Sequence, residues 1–196
     1  MSHRPIVIHG FETSNNIKVR VALEHKGLPY EFRTIAPRER DDLVRRSGQF
    51  LTPVMEHGDT VLFDSAAILR YLDANFPDTP KLFGGSHREQ WEIEDWERFG
   101  RGPLAEPMME VVHGKIQGEP LDDESTARAG DRFASAVRTL EARLDGRDWL
   151  VGGSMSAADI TCAAVLYRIR GSELLPWPDG CPGCERLTET VMGLLD

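Results

Sequence analysis

Residues Ile6 to Ile35 read IVIHGFETSNNIKVRVALEHKGLPYEFRTI. Ile6-Val7-Ile8 is a short β-branched run that ends at Gly10. From Asn15 to Lys26, apolar side chains at Ile17, Val21, Ala22 and Leu23 are interleaved with charges at Lys18, Arg20, Glu24 and Lys26, the pattern of a helix. Gly27 stands where a helix stops, and Pro29 follows two residues on. Tyr30 to Ile35 then alternates apolar and polar, as a half-buried strand does. A right-handed crossover through the helix makes the two strands parallel, a βαβ unit.

The charged run from Arg38 to Arg46 has room for one or two helical turns and reads as a solvated helix. Pro53 to Glu56 and Thr60 to Phe63 flank His57-Gly58-Asp59 and read as a hairpin. Ala66 to Phe76 carries Ile68, Leu69, Leu72 and Phe76 on one face, with Asp64 or Ser65 as its N-cap and Pro77 at its close. Pro77 to Ser86 is rich in Pro and Gly and reads as a linker. Beyond it, His87 to Phe99, Ser125 to Leu144, Ala157 to Ile169 and Glu185 to Leu195 are all helical in pattern. Strands and helices first, then helices alone, predict a small α/β domain followed by an all-α domain.

Composition narrows the function. The 196 residues carry 32 acidic and 23 basic side chains, a net charge of −9. Such a chain repels a phosphate backbone and shows no basic stripe, so no nucleic-acid partner is expected. No apolar run approaches the roughly 18 residues that span a bilayer, so no membrane partner is expected either. Ile6-Val7-Ile8 is too short for the core of a signal peptide, and three cysteines suit a reducing compartment. A cytoplasmic location is the expectation.

Three stretches carry a resemblance. Thr13-Ser14-Asn15-Asn16-Ile17-Lys18-Val19-Arg20 runs into Leu23-Glu24-His25-Lys26-Gly27-Leu28-Pro29-Tyr30-Glu31. Thr52-Pro53-Val54 precedes Asp64-Ser65-Ala66-Ala67-Ile68-Leu69-Arg70-Tyr71-Leu72. Gly152-Gly153-Ser154-Met155-Ser156-Ala157-Ala158-Asp159-Ile160 stands late in the chain. Together, over nearly the whole chain, these resemble the glutathione S-transferase family. The resemblance implies a thioredoxin-like N-terminal domain, βαβαββα with a mixed four-stranded sheet, followed by an all-α helical-bundle C-terminal domain. The boundaries expected are 1–78 for the glutathione-binding domain, 79–86 for the linker and 87–196 for the helical domain.

The resemblance implies roles for named residues. Thr13 falls at the family's thiol-activating position, with Ser14 as the alternative donor and Asn15 as the partner found in branches that use Thr and Asn. A thiol with a pKa of about 8.5 is mostly protonated at neutral pH, and a hydroxyl donor at a helix N-terminus favours the thiolate. Pro53 resembles the family's cis-proline, beside which the Thr52 backbone pairs with the cysteinyl part of glutathione. Ser65 and the helix N-terminus would receive the γ-glutamyl carboxylate, and Asp64 its ammonium. The plainer readings are a helix N-cap cluster for Thr13 to Asn16, a trans proline opening an edge strand for Pro53, and an ordinary N-cap for Asp64-Ser65. An arginine of the 38–46 run would pair with the glycyl carboxylate.

The function so implied is glutathione transfer: a thiolate attacks a small hydrophobic electrophile or a peroxide, with glutathione as co-substrate and no cofactor or metal. A homodimer is implied as well. The alternatives are a non-catalytic binding or assembly module on the same fold, and a glutathione-dependent reductase or isomerase. Members with a cysteine at the position of Thr13 do disulfide chemistry, and this chain has none there. Cys181-Pro182-Gly183-Cys184 has CxxC spacing but lies among helices, and reads as a turn that starts the last helix. Cys162 reads as core, and Ser156 with Asp159 as a capping box. The six histidines have no metal spacing, though His9 is close enough to the Thr13 loop to line a pocket. One edge of the fourth helix, near Met108, Met109 and Val112, reads either as lining an apolar second-substrate pocket or as plain helix packing.

Overall fold

The computed structural model describes residues 5–36, 40–172 and 174–195. The chain divides into two compact units, one through Leu82 with Leu195, the other Phe83–Leu194.

The first unit contains β1 (Ile6–Gly10), α1 (Ser14–His25), β2 (Tyr30–Thr34), α2 (Asp41–Ser47), β3 (Val54–His57), β4 (Thr60–Leu62) and α3 (Ser65–Asn75). Its sheet has the order β2-β1-β3-β4. β1 runs parallel to β2, with Ile6 opposite Tyr30 and Gly10 opposite Thr34. It runs antiparallel to β3, with Ile6 opposite His57 and His9 opposite Val54. β1 is buried along its whole length, whereas β2 and β4 at the edges are half open. The uninterrupted apolar run of Ile6-Val7-Ile8 is what a strand covered on both faces requires.

Two polar devices hold the helices of this unit. Lys26, at the end of α1 and 3% exposed, donates from Nζ to Asp73 Oδ1 on α3 and to the Pro80 carbonyl, each at 2.9 Å. The same Asp73 oxygen accepts the Leu82 N–H. A buried ammonium is tolerated because it is both paired and hydrogen-bonded. On the other side, Arg46 of α2 donates to Glu56 of β3 at 2.8 Å and to Asp42 at 2.6 Å. Glu56 is also 3.2 Å from His9 Nε2, and Arg46, then His9, hold its carboxyl below the usual range. α2 ends at Gly48, whose φ of 76° closes the helix in the left-handed region. Arg38 lies outside the described residues.

The second unit holds α4 (His87–Arg101), α5 (Glu106–Gln117), α6 (Asp123–Leu144), α7 (Ala157–Ser172) and α8 (Pro182–Met192). α5 is a separate helix that the sequence pattern did not separate out, and Met108, Met109 and Val112 belong to it. Pro107 sits in its first turn, where a missing N–H costs nothing, and Gly118 ends it. Of the fourth-helix aromatics, Trp96 and Phe99 pack edge to face, while Trp91 stays 65% exposed. α7 is buried from Ala157 to Leu166, Cys162 included. α4 crosses it so closely that a Cβ on Gly100 would stand 2.9 Å from Thr161 Cγ2. Ser86 and Glu89 form a reciprocal capping box at the start of α4.

The Ser156–Asp159 pair forms the acidic half of a capping box and departs from it at the hydroxyl. Asp159 accepts the N–H groups of Leu150 and Ser156, at 2.8 and 2.9 Å, and the Ser156 hydroxyl donates to the carboxylate. Burial raises the Asp159 pKa, and these donors oppose the rise. The CxxC segment is the N-cap and first turn of α8. Glu141 of α6 accepts the N–H groups of Gly183 and Cys184, and all three cysteines are free and buried. Burial, then Glu141, pushes the Cys184 thiol up, which makes it inert. Among the described residues no helix is long and apolar enough to cross a membrane.

Asp159→Ala orphans two buried N–H groups and is expected to destabilise the protein by about 3 kcal/mol, measured by urea unfolding, with glutathione affinity unchanged in the folded fraction. Unchanged unfolding with lost affinity would contradict this assignment.

Candidate active site

The site is assembled where β1 ends, α1 begins, β3 begins and α3 begins. Thr13 is the N-cap of α1, with extended backbone, and its hydroxyl oxygen accepts the Asn16 N–H at 3.3 Å. Helix geometry leaves the first N–H groups without carbonyl partners, and a hydroxyl-bearing residue at this position supplies one. Ser14 is the first residue of the helix and half-buried, and Asn15 is exposed.

Asn16 is 1% exposed. Its side-chain amide Nδ2 donates to Thr13 Oγ1 at 2.7 Å and to Thr52 Oγ1 at 2.8 Å. Its Oδ1 is buried with no partner. An orphaned buried acceptor costs about 1–3 kcal/mol, stability given up at this point of the fold. The side chain fits because β1 ends in glycine: a Cβ on Gly10 would stand 1.7 Å from Asn16 Oδ1. Asn16 was not among the candidates suggested by sequence. Its Thr52 contact joins residues 36 apart in the chain, so no local spacing announces it.

Thr52 precedes Pro53 through a cis peptide bond, as the resemblance implied. Pro53 is buried, and Val54 opens β3 beside His9. Asp64 is the N-cap of α3, its Oδ1 accepting the Ala67 N–H at 2.9 Å. That resolves the choice between Asp64 and Ser65 for the cap. Ser65, 5% exposed, is the first residue of α3 and donates its hydroxyl to Asn15 Oδ1 at 3.2 Å. Asn15 therefore meets Ser65, and Asn16 meets Thr13. The structure thus ties Thr13 to Thr52 and Asn15 to Ser65, joining two helix N-termini, the entry to β3 and the end of β1.

Two neighbours contribute less. His9 is 3% exposed and pairs with Glu56, so it serves the sheet and not an open pocket. Arg40 stacks on Phe11, 5.3 Å from the ring centroid, and donates to the Phe50 carbonyl at 2.9 Å. Arg45 and Arg46 are engaged with Asp42.

Chemically, the cluster offers a hydroxyl at one helix N-terminus and free N–H groups with a carboxylate at another. Residues 8–80 match the family model for the glutathione S-transferase N-terminal domain, and residues 123–189 match that for the C-terminal domain. A glutathione S-transferase of Triticum aestivum is 35% identical over 167 residues, 84% of this chain and 78% of that protein. This chain belongs to the glutathione S-transferase family. The glutathione S-transferase-like protein LUC7 of a Fusarium species is 33% identical over 58% of this chain, a match spanning 52% of that protein. Elongation factor 1-gamma of Trypanosoma cruzi is 34% identical over 62% of this chain, a match spanning 29% of that protein. Thus the chain spans about half the length of the Fusarium relative and less of the elongation factor. The crystal structure of poplar glutathione transferase F1 superposes with a TM-score of 0.80 at 19% identity, covering 95% of this chain and 92% of that one, which establishes the shared fold. That fold is the thioredoxin-like mixed sheet followed by helices.

The tight seat of Asn16 against Gly10 yields a prediction for this family member. Gly10→Ala forces the amide out of place and is expected to destabilise by about 1–3 kcal/mol in urea unfolding. Unchanged stability would show that the amide has room to move.

Proposed function

We propose that this protein is a glutathione transferase in which Thr13 stabilises the glutathione thiolate. The observation that carries the reading is the state of the Thr13 hydroxyl. Its oxygen already accepts from Asn16, and among the described residues nothing accepts its hydrogen. At the N-terminus of α1 that hydrogen and the helix dipole favour an anion. Glutathione supplies one: its thiol gives its proton to solvent, and the sulfur keeps the electron pair. The thiolate then forms a carbon–sulfur bond with a small hydrophobic electrophile, whose leaving group departs with its own electron pair.

The rest of the tripeptide is held by the other residues of the cluster. The Thr52 backbone beside Pro53 hydrogen-bonds the cysteinyl unit. The N-terminus of α3 takes the γ-glutamyl carboxylate, with the Ser65 hydroxyl turning from Asn15 to add a donor. Asp64, one oxygen of which caps Ala67, takes the ammonium. The reaction as written needs no cofactor beyond glutathione as co-substrate. A homodimer fits the large apolar side chains that the first unit leaves open, Phe50 at 63%, Leu51 at 68% and Phe63 at 47% exposed.

A second reading has its own support. The match to elongation factor 1-gamma of Trypanosoma cruzi favours a binding module that serves an assembly instead of a reaction. Calorimetry with glutathione separates the two. The transferase reading expects binding, and turnover of an activated aryl halide. Thr13→Ala is expected to lower kcat about 10- to 100-fold with KM little changed, and Ser14→Ala to leave kcat within about 2-fold. No binding at millimolar glutathione, or binding with no turnover of any electrophile, favours the module. Loss of activity in Ser14→Ala but not in Thr13→Ala would move the thiol contact to Ser14.

A further inference from the structure

A hydroxyl group has two acceptor positions and one hydrogen. At Thr13 both acceptor positions are filled from the same residue, by the Asn16 N–H at 3.3 Å and by its Nδ2 at 2.7 Å. The hydroxyl can therefore act on a third group only as a donor. The second hydrogen of Nδ2 goes to Thr52 Oγ1 at 2.8 Å, which anchors the amide between the two threonines. Turned over, the amide would present Oδ1 to both hydroxyls and would take the Thr13 hydrogen for itself. The orientation observed leaves Oδ1 buried and unpartnered against Gly10, an arrangement that folding alone does not favour.

We propose that Asn16 is a positioning residue whose amide makes the Thr13 hydroxyl an obligate donor toward the glutathione sulfur. Asn16 itself touches neither the sulfur nor the electrophile. Two donors on the Thr13 oxygen also polarise its O–H bond, since hydrogen bonds in a chain strengthen one another. Thr52 takes a second part here: its backbone serves glutathione, and its side chain anchors the Asn16 amide. The proposal rests on the transferase reading, and its test keeps the two apart.

The readout is the pKa of the thiol in bound glutathione, followed by ultraviolet thiolate absorbance against pH. Asn16→Leu keeps the shape of the side chain and removes both the donor and the orphaned acceptor. It is expected to fold, with the bound thiol pKa rising as far as it does in Thr13→Ala. The double variant N16L/T13A is expected to show no further rise, because both changes remove the same donor. If Asn16→Leu does not fold, Thr52→Val frees the amide from its anchor and should raise the thiol pKa by a smaller amount. A thiol pKa that stays at the parent value in both Asn16→Leu and Thr52→Val, with Thr13→Ala raising it, overturns the proposal and leaves the transferase reading standing. Full additivity of Asn16→Leu and Thr13→Ala overturns it too. A parent protein that binds no glutathione, or a Thr13→Ala variant with an unchanged thiol pKa, overturns the transferase reading and the proposal with it.

Discussion

One buried amide, that of Asn16, ties together the segments from which the site is made. It fixes the N-cap of α1 through Thr13 and the approach to β3 through Thr52. It occupies the space that glycine leaves at the end of β1. Each of these connections constrains another. A side chain on Gly10 would push out the amide, and loss of the amide would leave the Thr13 hydroxyl free to rotate. Among the described residues, the positions it leaves open are the oxygen that faces Gly10 and the hydrogens of the Thr13 and Thr52 hydroxyls.

Around that point the fold holds the two helix N-termini still. Lys26, Asp73 and the Pro80 carbonyl lock the far ends of α1 and α3 to the segment that leaves the first unit. Asp64 caps α3, and the Asn15–Ser65 bond runs from α1 to the start of α3. These interactions are short, local and partly buried, so they persist in a protein whose net charge of −9 opposes an anionic ligand. Anion binding at such a site depends on placed N–H groups and hydroxyls and owes nothing to the overall field.

Much of this was legible in the sequence because it is local. The βαβ unit announces itself by a β-branched run, a helical period and Gly27 with Pro29. The α3 cap follows from Asp64-Ser65 standing before an apolar face. Where proline sits in a first turn, the reading goes astray. Pro107 concealed α5, and Pro182 begins α8 ahead of the expected Glu185. Proline there replaces an N–H that has no partner, so it opens a helix as readily as it breaks one. In the site, Thr13, Thr52, Asp64 and Ser65 stand in short motifs. The exchange of partners between Asn15 and Asn16 does not, because it is decided by Ser65 and Thr52, far along the chain and adjacent only after folding. In the same way, Ser156 donates to Asp159 where a local motif suggests that it accepts from the backbone.

At issue is whether this arrangement lowers the pKa of a bound thiol. Direct titration of glutathione bound to the unmodified protein, by thiolate absorbance across pH, measures that quantity. The account predicts a bound thiol pKa at least about one unit below the free value of about 8.5. A bound thiol that titrates at the free value would contradict it, whatever the affinity.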